Sequence, residues 1–204
     1  MRQFAVVRYA LGAAIAVAML SGSIAEAAPA AKALTFRKIG RTAFTAEIPH
    51  DWKMSTRRKY GADQSIGRYS FRSPTGSGVF RINFQKDGGG DFKAAAEADY
   101  QQFRKRISEP KIHSQEISKE DGRDVAFRVF EGLLLRKDFM RPYMFARILV
   151  RRPNAKKLVA FTLAMSHDKL DGDRFTKILE RFVNTLKFKD PKPAAPTKAA
   201  AVKK

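Results

Sequence analysis

The sequence predicts an α+β fold in which an antiparallel β-sheet of about six to seven strands is flanked by two main helices. Residues 124–166 carry the richest apolar material in the chain and divide into three strand-like segments. In the first two of these segments apolar residues alternate with polar ones, which is typical of half-buried strands. Two further segments, residues 91–108 and 173–186, space their apolar residues as an amphipathic helix does.

The first 27 residues predict a secretory signal peptide. Arg2 and Arg8 are followed by an apolar run, residues 9–20, and by small residues at Ala25 and Ala27. The run is too short to span a membrane comfortably, and the small residues suit a signal peptidase. We therefore expect cleavage near Ala27 and a periplasmic or secreted protein. The alternative is that the segment is retained as a membrane anchor.

The chain is strongly basic and lacks cysteine. Its 204 residues include 40 Lys and Arg against 20 Asp and Glu, a formal charge of +20, which becomes +19 once residues 1–27 are removed. The absence of cysteine excludes disulfides, thiolate metal sites, cysteine nucleophiles and a lipidated N-terminal cysteine. We expect a short leader at 28–33, a single domain at 34–188 and a disordered cationic tail at 189–204.

The domain begins with two short predicted strands and a tryptophan. Residues 34–39 suggest an edge strand, and residues 44–48 suggest a second strand that Pro49 ends. Trp52, the only tryptophan in the sequence, follows in a turn. We favour a core position for Trp52 over a ligand-stacking role, because large aromatic residues mostly serve packing.

A hairpin is predicted next, with strands at 66–71 and 79–84 around a loop, residues 73–78, that is rich in Gly and Ser. The aromatic residues of the two strands must share one face of the sheet. That requirement fixes the parity of the register and places Ser70 near Arg81.

The same register places Arg68 near Asn83 and puts three arginines, Arg68, Arg72 and Arg81, together on the other face. Like charges this close need acceptors, water or a bound anion. Two interpretations stay open: solvated arginines with partners such as Glu47, or an anion site.

The first helix is predicted from its cap and its apolar side. Asp91 is placed to cap a helix that runs to about Ser108, and Pro110 stops it. The glycines of residues 88–90 do not form a phosphate loop, because no lysine followed by serine or threonine comes after them. We interpret them as a flexible turn between strand and helix.

The rest of the domain is predicted to be strands closed by a helix. Residues 112–118 suggest a strand, and residues 120–123 a tight turn into the central segment. Residues 158–165 are almost continuously apolar, which suits the centre of a sheet. A helical stripe follows and must dock on the sheet to be buried: Phe175, Ile178, Leu179, Phe182, Val183 and Leu186.

This order of elements resembles the Mog/PsbP-like fold family. The similarity includes the Ala-Glu-Ile-Pro run at 46–49 followed by Trp52, the hairpin, one helix, a long antiparallel segment and a closing helix that leads into residues 185–188. The family includes the PsbP subunit of photosystem II, the Ran-binding Mog proteins and DcrB-type bacterial envelope proteins. The resemblance implies a noncatalytic accessory or binding role, and it transfers no partner.

An enzyme is disfavoured by the residue pattern. The three histidines, His50, His113 and His167, are far apart in sequence, and no Gly-x-Ser-x-Gly elbow is present. His167 with Asp168 and Asp171 is a poor cation site in so basic a domain. We predict no catalytic residue, no cofactor and no metal, with an unrecognised hydrolase or metal-dependent site as the alternative.

The positive charge indicates a binding protein for anionic partners. We expect contact with an anionic envelope component or an acidic protein, and peripheral membrane contact is compatible with this. Nucleic-acid binding becomes the leading alternative if the signal peptide prediction is wrong. The candidate anion-binding residues are Arg57, Arg58, Lys59, Arg68, Arg72 and Arg81.

Overall fold

The computed structural model describes residues 34–40, 44–60, 66–136, 139–166 and 171–189. The predicted signal peptide, the leader at 28–33 and the tail beyond Lys189 lie outside these ranges. The described chain has two helices and ten strands, and every strand pair in it is antiparallel. The predicted α+β class is confirmed.

The strands form two sheets rather than one. The larger sheet has seven strands in the order β3-β4-β5-β9-β8-β7-β6, and the smaller has the order β1-β2-β10. The elements, in chain order, are β1 Phe36–Gly40, β2 Phe44–Pro49, β3 Lys53–Tyr60, β4 Ile66–Arg72, β5 Gly78–Lys86, α1 Phe92–Arg104, β6 Ile107–Glu120, β7 Arg123–Arg136, β8 Phe139–Arg151, β9 Lys157–Ser166, α2 Asp171–Thr185 and β10 Lys187–Phe188.

The apolar run at 158–165 forms the centre of the larger sheet, as its composition predicts. Strand β9 pairs with β5 on one side and with β8 on the other, and residues 158–166 are all buried. A strand covered on both faces has no solvent face on which to place polar residues, which explains the continuous apolar run. The tight turn between β6 and β7 also forms, with Asp121 and Gly122 both at positive φ (49° and 75°).

Helix α2 and the smaller sheet cover one face of the seven-stranded sheet and enclose the main core. The six apolar residues of the predicted helical stripe, the last of which directly follows the helix, are each 5% exposed or less. Phe182 packs between Phe80 and Phe161, with ring centroids 4.7 Å and 5.1 Å away. Trp52 is fully buried in the same core, so its predicted packing role is confirmed.

Trp52 depends on a glycine in the strand across from it. A Cβ built on Gly78 would lie 2.7 Å from Cζ2 and 2.8 Å from Cη2 of the indole ring. Only a residue without a side chain leaves room for the ring at that point. Gly78, the last residue of the predicted hairpin loop, therefore has a packing role.

The N-terminal strands and β3 differ from the prediction. Strands β1 and β2 do not extend the edge of the main sheet; they pair with β10 in the separate sheet. Strand β3 was missed, because Lys53–Tyr60 is mostly charged and polar and shows no apolar alternation. It is an edge strand, and charged residues are common there because they discourage pairing with other chains.

The first helix is also shorter than predicted. Helix α1 ends at Arg104 rather than near Ser108, and β6 begins at Ile107. Ile107 fits there because it packs on Gly132 of β7, where an added Cβ would lie 2.4 Å from its Cγ2. Pro110 lies inside β6, at a register shift in an edge strand, a position where its missing N–H is tolerated.

Candidate functional site

The second face of the seven-stranded sheet carries helix α1, which local chemistry fixes at its start. Asp91 caps the helix, since its carboxylate accepts hydrogen bonds from the backbone N–H groups of Lys93 and Ala94. The preceding loop is held to β8 by Arg151. Its guanidinium donates to both carboxylate oxygens of Asp87, at 2.7 Å and 2.8 Å, and to the carbonyl of Gly90. The predicted cap is confirmed.

This loop ion pair shifts the titration of both partners. The hydrogen bonds from Arg151 lower the pKa of Asp87 below its ordinary value of 3.8. The same contact raises the pKa of Arg151. Arg151 is therefore engaged in an ion pair, and its side chain is only 18% exposed.

A row of polar residues crosses the α1 side of the sheet from strand to strand. The register pairs Ser70 of β4 with Arg81 of β5, Arg81 with Thr162 of β9, Thr162 with Arg147 of β8, and Arg147 with Arg128 of β7. Directly opposite residues on paired strands share a face, so these side chains lie in one line. The row separates two apolar clusters beneath α1.

Helix α1 supplies one carboxylate to each of two arginines in this row. The carboxylate of Asp99 accepts hydrogen bonds from Nε and Nη2 of Arg147, at 2.8 Å and 2.6 Å. It also accepts one from the side-chain amide of Gln85, at 3.1 Å. The carboxylate of Glu97 accepts a hydrogen bond from Nη2 of Arg128, at 3.0 Å. The pair of Asp99 with Arg147 is buried, with side chains 6% and 8% exposed, so it is an internal salt bridge rather than a solvated one.

The pair of Glu97 with Arg128 lies nearer the surface. A hydrogen bond from Gln101 and another from Arg128 lower the pKa of the Glu97 carboxyl. The guanidinium of Arg128 also lies 3.8 Å from the centre of the Tyr100 ring, a cation–π contact. The helix therefore neutralises the arginines that it covers.

Beyond the edge of α1 the row continues into an open groove of about 620 Å³. Strand β5 and the end of β4 form one side of the groove, β8 and β9 its floor, and the C-terminal half of α1 the other side. Its charged lining residues are four arginines and one carboxylate: Arg72, Arg81, Arg106, Arg147 and Asp99. Because Asp99 pairs with Arg147, the remaining lining charge is cationic.

Two of the six predicted anion-binding residues meet in this groove. Arg72 is exposed and Arg81 is half-buried, and both line it. The predicted register is confirmed, since Ser70 pairs with Arg81 and Arg68 with Asn83. The structure does not describe the side chain of Arg68.

The other three candidates, Arg57, Arg58 and Lys59, lie within β3. In backbone register Arg58 pairs with Arg68 and Arg57 with Tyr69. Their side chains are outside the described part of the structure. The structure therefore places the three residues next to β4 along the sheet, and their role as anion ligands stays a prediction.

Glu47, expected as a partner for the hairpin arginines, has a different role. It lies on β2 in the smaller sheet, and its carboxylate accepts a hydrogen bond from Nε of Arg181 on α2, at 2.6 Å. The ion pair ties the last helix to the small sheet. Glu47 thus compensates the charge of Arg181.

Sequence reasoning missed Asp99 and the position of Arg106. Asp99 falls between Ala96 and Phe103 at helical spacing, so a carboxylate on the buried side of the helix was visible in the pattern. A buried carboxylate requires a cationic partner, which points to an arginine on the facing sheet. Arg106 follows the helix in a turn, and no local signal shows that this turn lies beside the groove.

Of the three histidines, His50 and His113 lie within the described ranges. His50 is exposed in the turn after β2, and Nε2 of His113 lies 3.3 Å from a carboxylate oxygen of Glu131. His167 and Asp168 are outside the described ranges. Among the residues that the structure does describe, no three His, Asp or Glu side chains are grouped to hold a metal ion. No helix within them is long and apolar enough to cross a membrane.

Comparison with known proteins shows similarity at the level of structure. No protein-family model matches the chain, and no curated protein matches it. The structure is similar to cyanobacterial PsbP (CyanoP) from Synechocystis, with a TM-score of 0.51 at 13% identity over 80% of this chain and 98% of that one. It is equally similar to the Ran-binding protein Mog1p from Saccharomyces cerevisiae, with a TM-score of 0.51 at 10% identity over 78% and 97% of the two chains.

A third solved structure is LpqN, a Mycobacterium tuberculosis protein involved in cell envelope biogenesis. Its TM-score is 0.48 at 10% identity, and the match covers 78% of this chain and 93% of that one. Identities this low establish the fold alone. The chain has the Mog/PsbP-like fold, as the resemblance in its sequence predicts.

Proposed function

We propose that the protein is a noncatalytic accessory or binding protein of the periplasm that contacts an anionic component of the cell envelope. The observation that carries the proposal is the gathering of arginines on the α1 side of the sheet, beyond the part that α1 neutralises. Arg72, Arg81 and Arg106 all line one groove there.

The charge of the chain supports an anionic partner. A formal charge of +20 attracts polyanions over distances of about one Debye length, which is roughly 8 Å at physiological ionic strength. Mog1p, which has the same fold, is a Ran-binding protein, so this fold is compatible with binding a partner protein. An acidic protein partner is therefore the alternative that the experiment must separate from an envelope lipid.

The test is retention of residues 28–204 on vesicles that contain phosphatidylglycerol, compared with vesicles of phosphatidylcholine alone. Retention on the anionic vesicles should fall steeply between low and physiological salt, because the attraction is electrostatic. Replacing Arg57, Arg58 and Lys59 together by threonine, which suits a strand, should weaken retention roughly tenfold or more. The melting temperature should change little.

The matched control removes the same charge elsewhere. Lys93, Arg104 and Lys105 are exposed on or just after α1 and do not line the groove, so their triple replacement by glutamine is suitable. The control should retain most of the binding. Equal losses in both triple variants would show that only net charge matters and would contradict a specific role for Arg57, Arg58 and Lys59. No retention by the wild-type protein would favour an acidic protein partner over lipid.

The proposed location has a separate test. Protein recovered from a periplasmic extract should begin at or near Ala28, since cleavage is expected near Ala27. N-terminal sequencing or intact mass measures this directly. An intact N-terminus on protein isolated from the cytosol would contradict the periplasmic assignment and make nucleic acid the first ligand to test.

A further inference from the structure

We infer that the groove between α1 and β5 binds an amphiphilic organic anion, with its charged group on the arginines and its apolar part on the adjoining aromatic cluster. This inference rests on the proposed function and deepens it, because it assigns a ligand class to one part of the cationic surface. The groove volume of about 620 Å³ lies within the roughly 300–1,000 Å³ typical of small-molecule sites.

The charged half of the groove has an excess of positive charge that suits an anion. Its carboxylate, Asp99, is already occupied by two hydrogen bonds from Arg147 and one from Gln85, so it does not act as an unpaired negative charge. Arg72 ends β4 and Arg106 lies in the turn after α1, and both are exposed. Within the part of the chain that the structure describes, neither guanidinium forms an ion pair. Two such guanidinium groups beside one groove favour a phosphate or carboxylate.

The apolar half lies in the next row of the same sheet face. Val79 pairs with Ala164, Ala164 with Phe145, and Phe145 with Phe130, so an apolar row runs alongside the arginine row. Three half-buried apolar side chains border the groove at this level: Val79, Phe103 and Leu134. They pack on a small buried cluster and still present apolar surface to the groove. Covering that surface with a hydrocarbon segment is favourable.

The two halves together select the ligand class. An inorganic anion would leave the apolar side unused, and a neutral hydrocarbon would leave the arginines unused. The chain's own C-terminal segment is a poor occupant, because residues 190–204 carry four lysines and one aspartate. A molecule with one anionic group and one short apolar chain matches both sides.

The experiment is calorimetric titration of residues 28–204 with submicellar dodecyl phosphate. Inorganic phosphate and dodecyl maltoside test the head and the chain separately. Wild-type protein should bind dodecyl phosphate at least tenfold more tightly than either, because only that probe has both parts. Arg72→Gln and Arg106→Gln should each weaken dodecyl phosphate binding roughly tenfold, the loss expected for a charged hydrogen bond.

Two further variants make the test specific. Val79→Thr keeps the shape of the side chain and replaces one methyl group by a hydroxyl, so it should weaken dodecyl phosphate binding several-fold and leave inorganic phosphate binding unchanged. Arg104→Gln removes the same charge two residues from Arg106, but Arg104 does not line the groove, so this variant should bind like wild type. Equal losses for Arg104→Gln and Arg106→Gln would overturn the inference.

The outcomes separate this inference from the proposed function. Retention on anionic vesicles without dodecyl phosphate binding would overturn the groove ligand and leave the envelope proposal standing. Dodecyl phosphate binding that depends on Arg106, without vesicle retention, would support the groove and contradict the proposed membrane contact. If inorganic phosphate bound as tightly as dodecyl phosphate, a simple anion site would replace the amphiphile site.

Discussion

The two faces of the seven-stranded sheet are built from the same strands and are covered in different ways. On one face, α2 and the smaller sheet bury a continuous apolar core that includes Trp52, Phe161 and Phe182. On the other, α1 covers two smaller apolar clusters that a polar row divides, and it leaves the β4–β5 side open. The comparison shows that one face is closed by a continuous core, whereas the other leaves a groove open.

The largest expected effect distinguishes the two faces by their packing. Phe182→Ala on α2 should lower the free energy of unfolding by about 3–5 kcal/mol, because the residue is 1% exposed and contacts Phe80 and Phe161. Phe103→Ala on α1 should cost clearly less, since that ring is half-buried beside the groove. Urea denaturation measures both changes. Equal costs would contradict the assignment of stability mainly to the α2 face.

The next effect tests the polar row beneath α1. Asp99→Ala should lower the free energy of unfolding by about 3 kcal/mol, because it leaves the buried guanidinium of Arg147 without its carboxylate. The double variant Asp99→Leu with Arg147→Met should recover most of that loss, since an apolar pair of similar size removes both charges. If the double variant were as unstable as Asp99→Ala, the unpaired charge of Arg147 would not be the cause of the lost stability.

The smallest effect concerns the loop that begins α1 and depends on pH. The lowered pKa of Asp87 means that its pairing with Arg151 stabilises the folded state above the ordinary value of 3.8, and this contribution is lost as the pH falls through the lowered pKa. Asp87→Asn should cost less than about 1 kcal/mol near neutral pH, because partly exposed pairs contribute little. The gap between wild type and variant should close in strong acid.

Thermal melts at several pH values check this prediction. A gap that stays constant from neutral pH to strong acid would mean that Asp87 acts through packing rather than charge. Titration of Arg151 does not contribute to the pH dependence, because its raised pKa keeps it protonated throughout the acid range.

Local patterns in the sequence predicted the elements whose side chains face one large core. The stripe on α2 and the apolar run of β9 were readable because burial on a single face imposes a regular period. Asp91 was recognisable as a cap because a cap acts on the next few residues. Strand β3 and the start of β6 were not predicted, because an edge strand needs no apolar alternation and Ile107 depends on Gly132, a distant residue.

The sequence by itself determined the antiparallel α+β architecture, the face to which the hairpin arginines belong and the excess of positive charge. Only the tertiary structure decided that Asp99 neutralises Arg147 and that Arg72 and Arg106 lie beside one groove. Asp99 and Arg147 are 48 residues apart, and they meet because α1 docks across β8. Charge pairing depends on distance in space, and a helix placed on a sheet sets distances that no local spacing in the chain encodes.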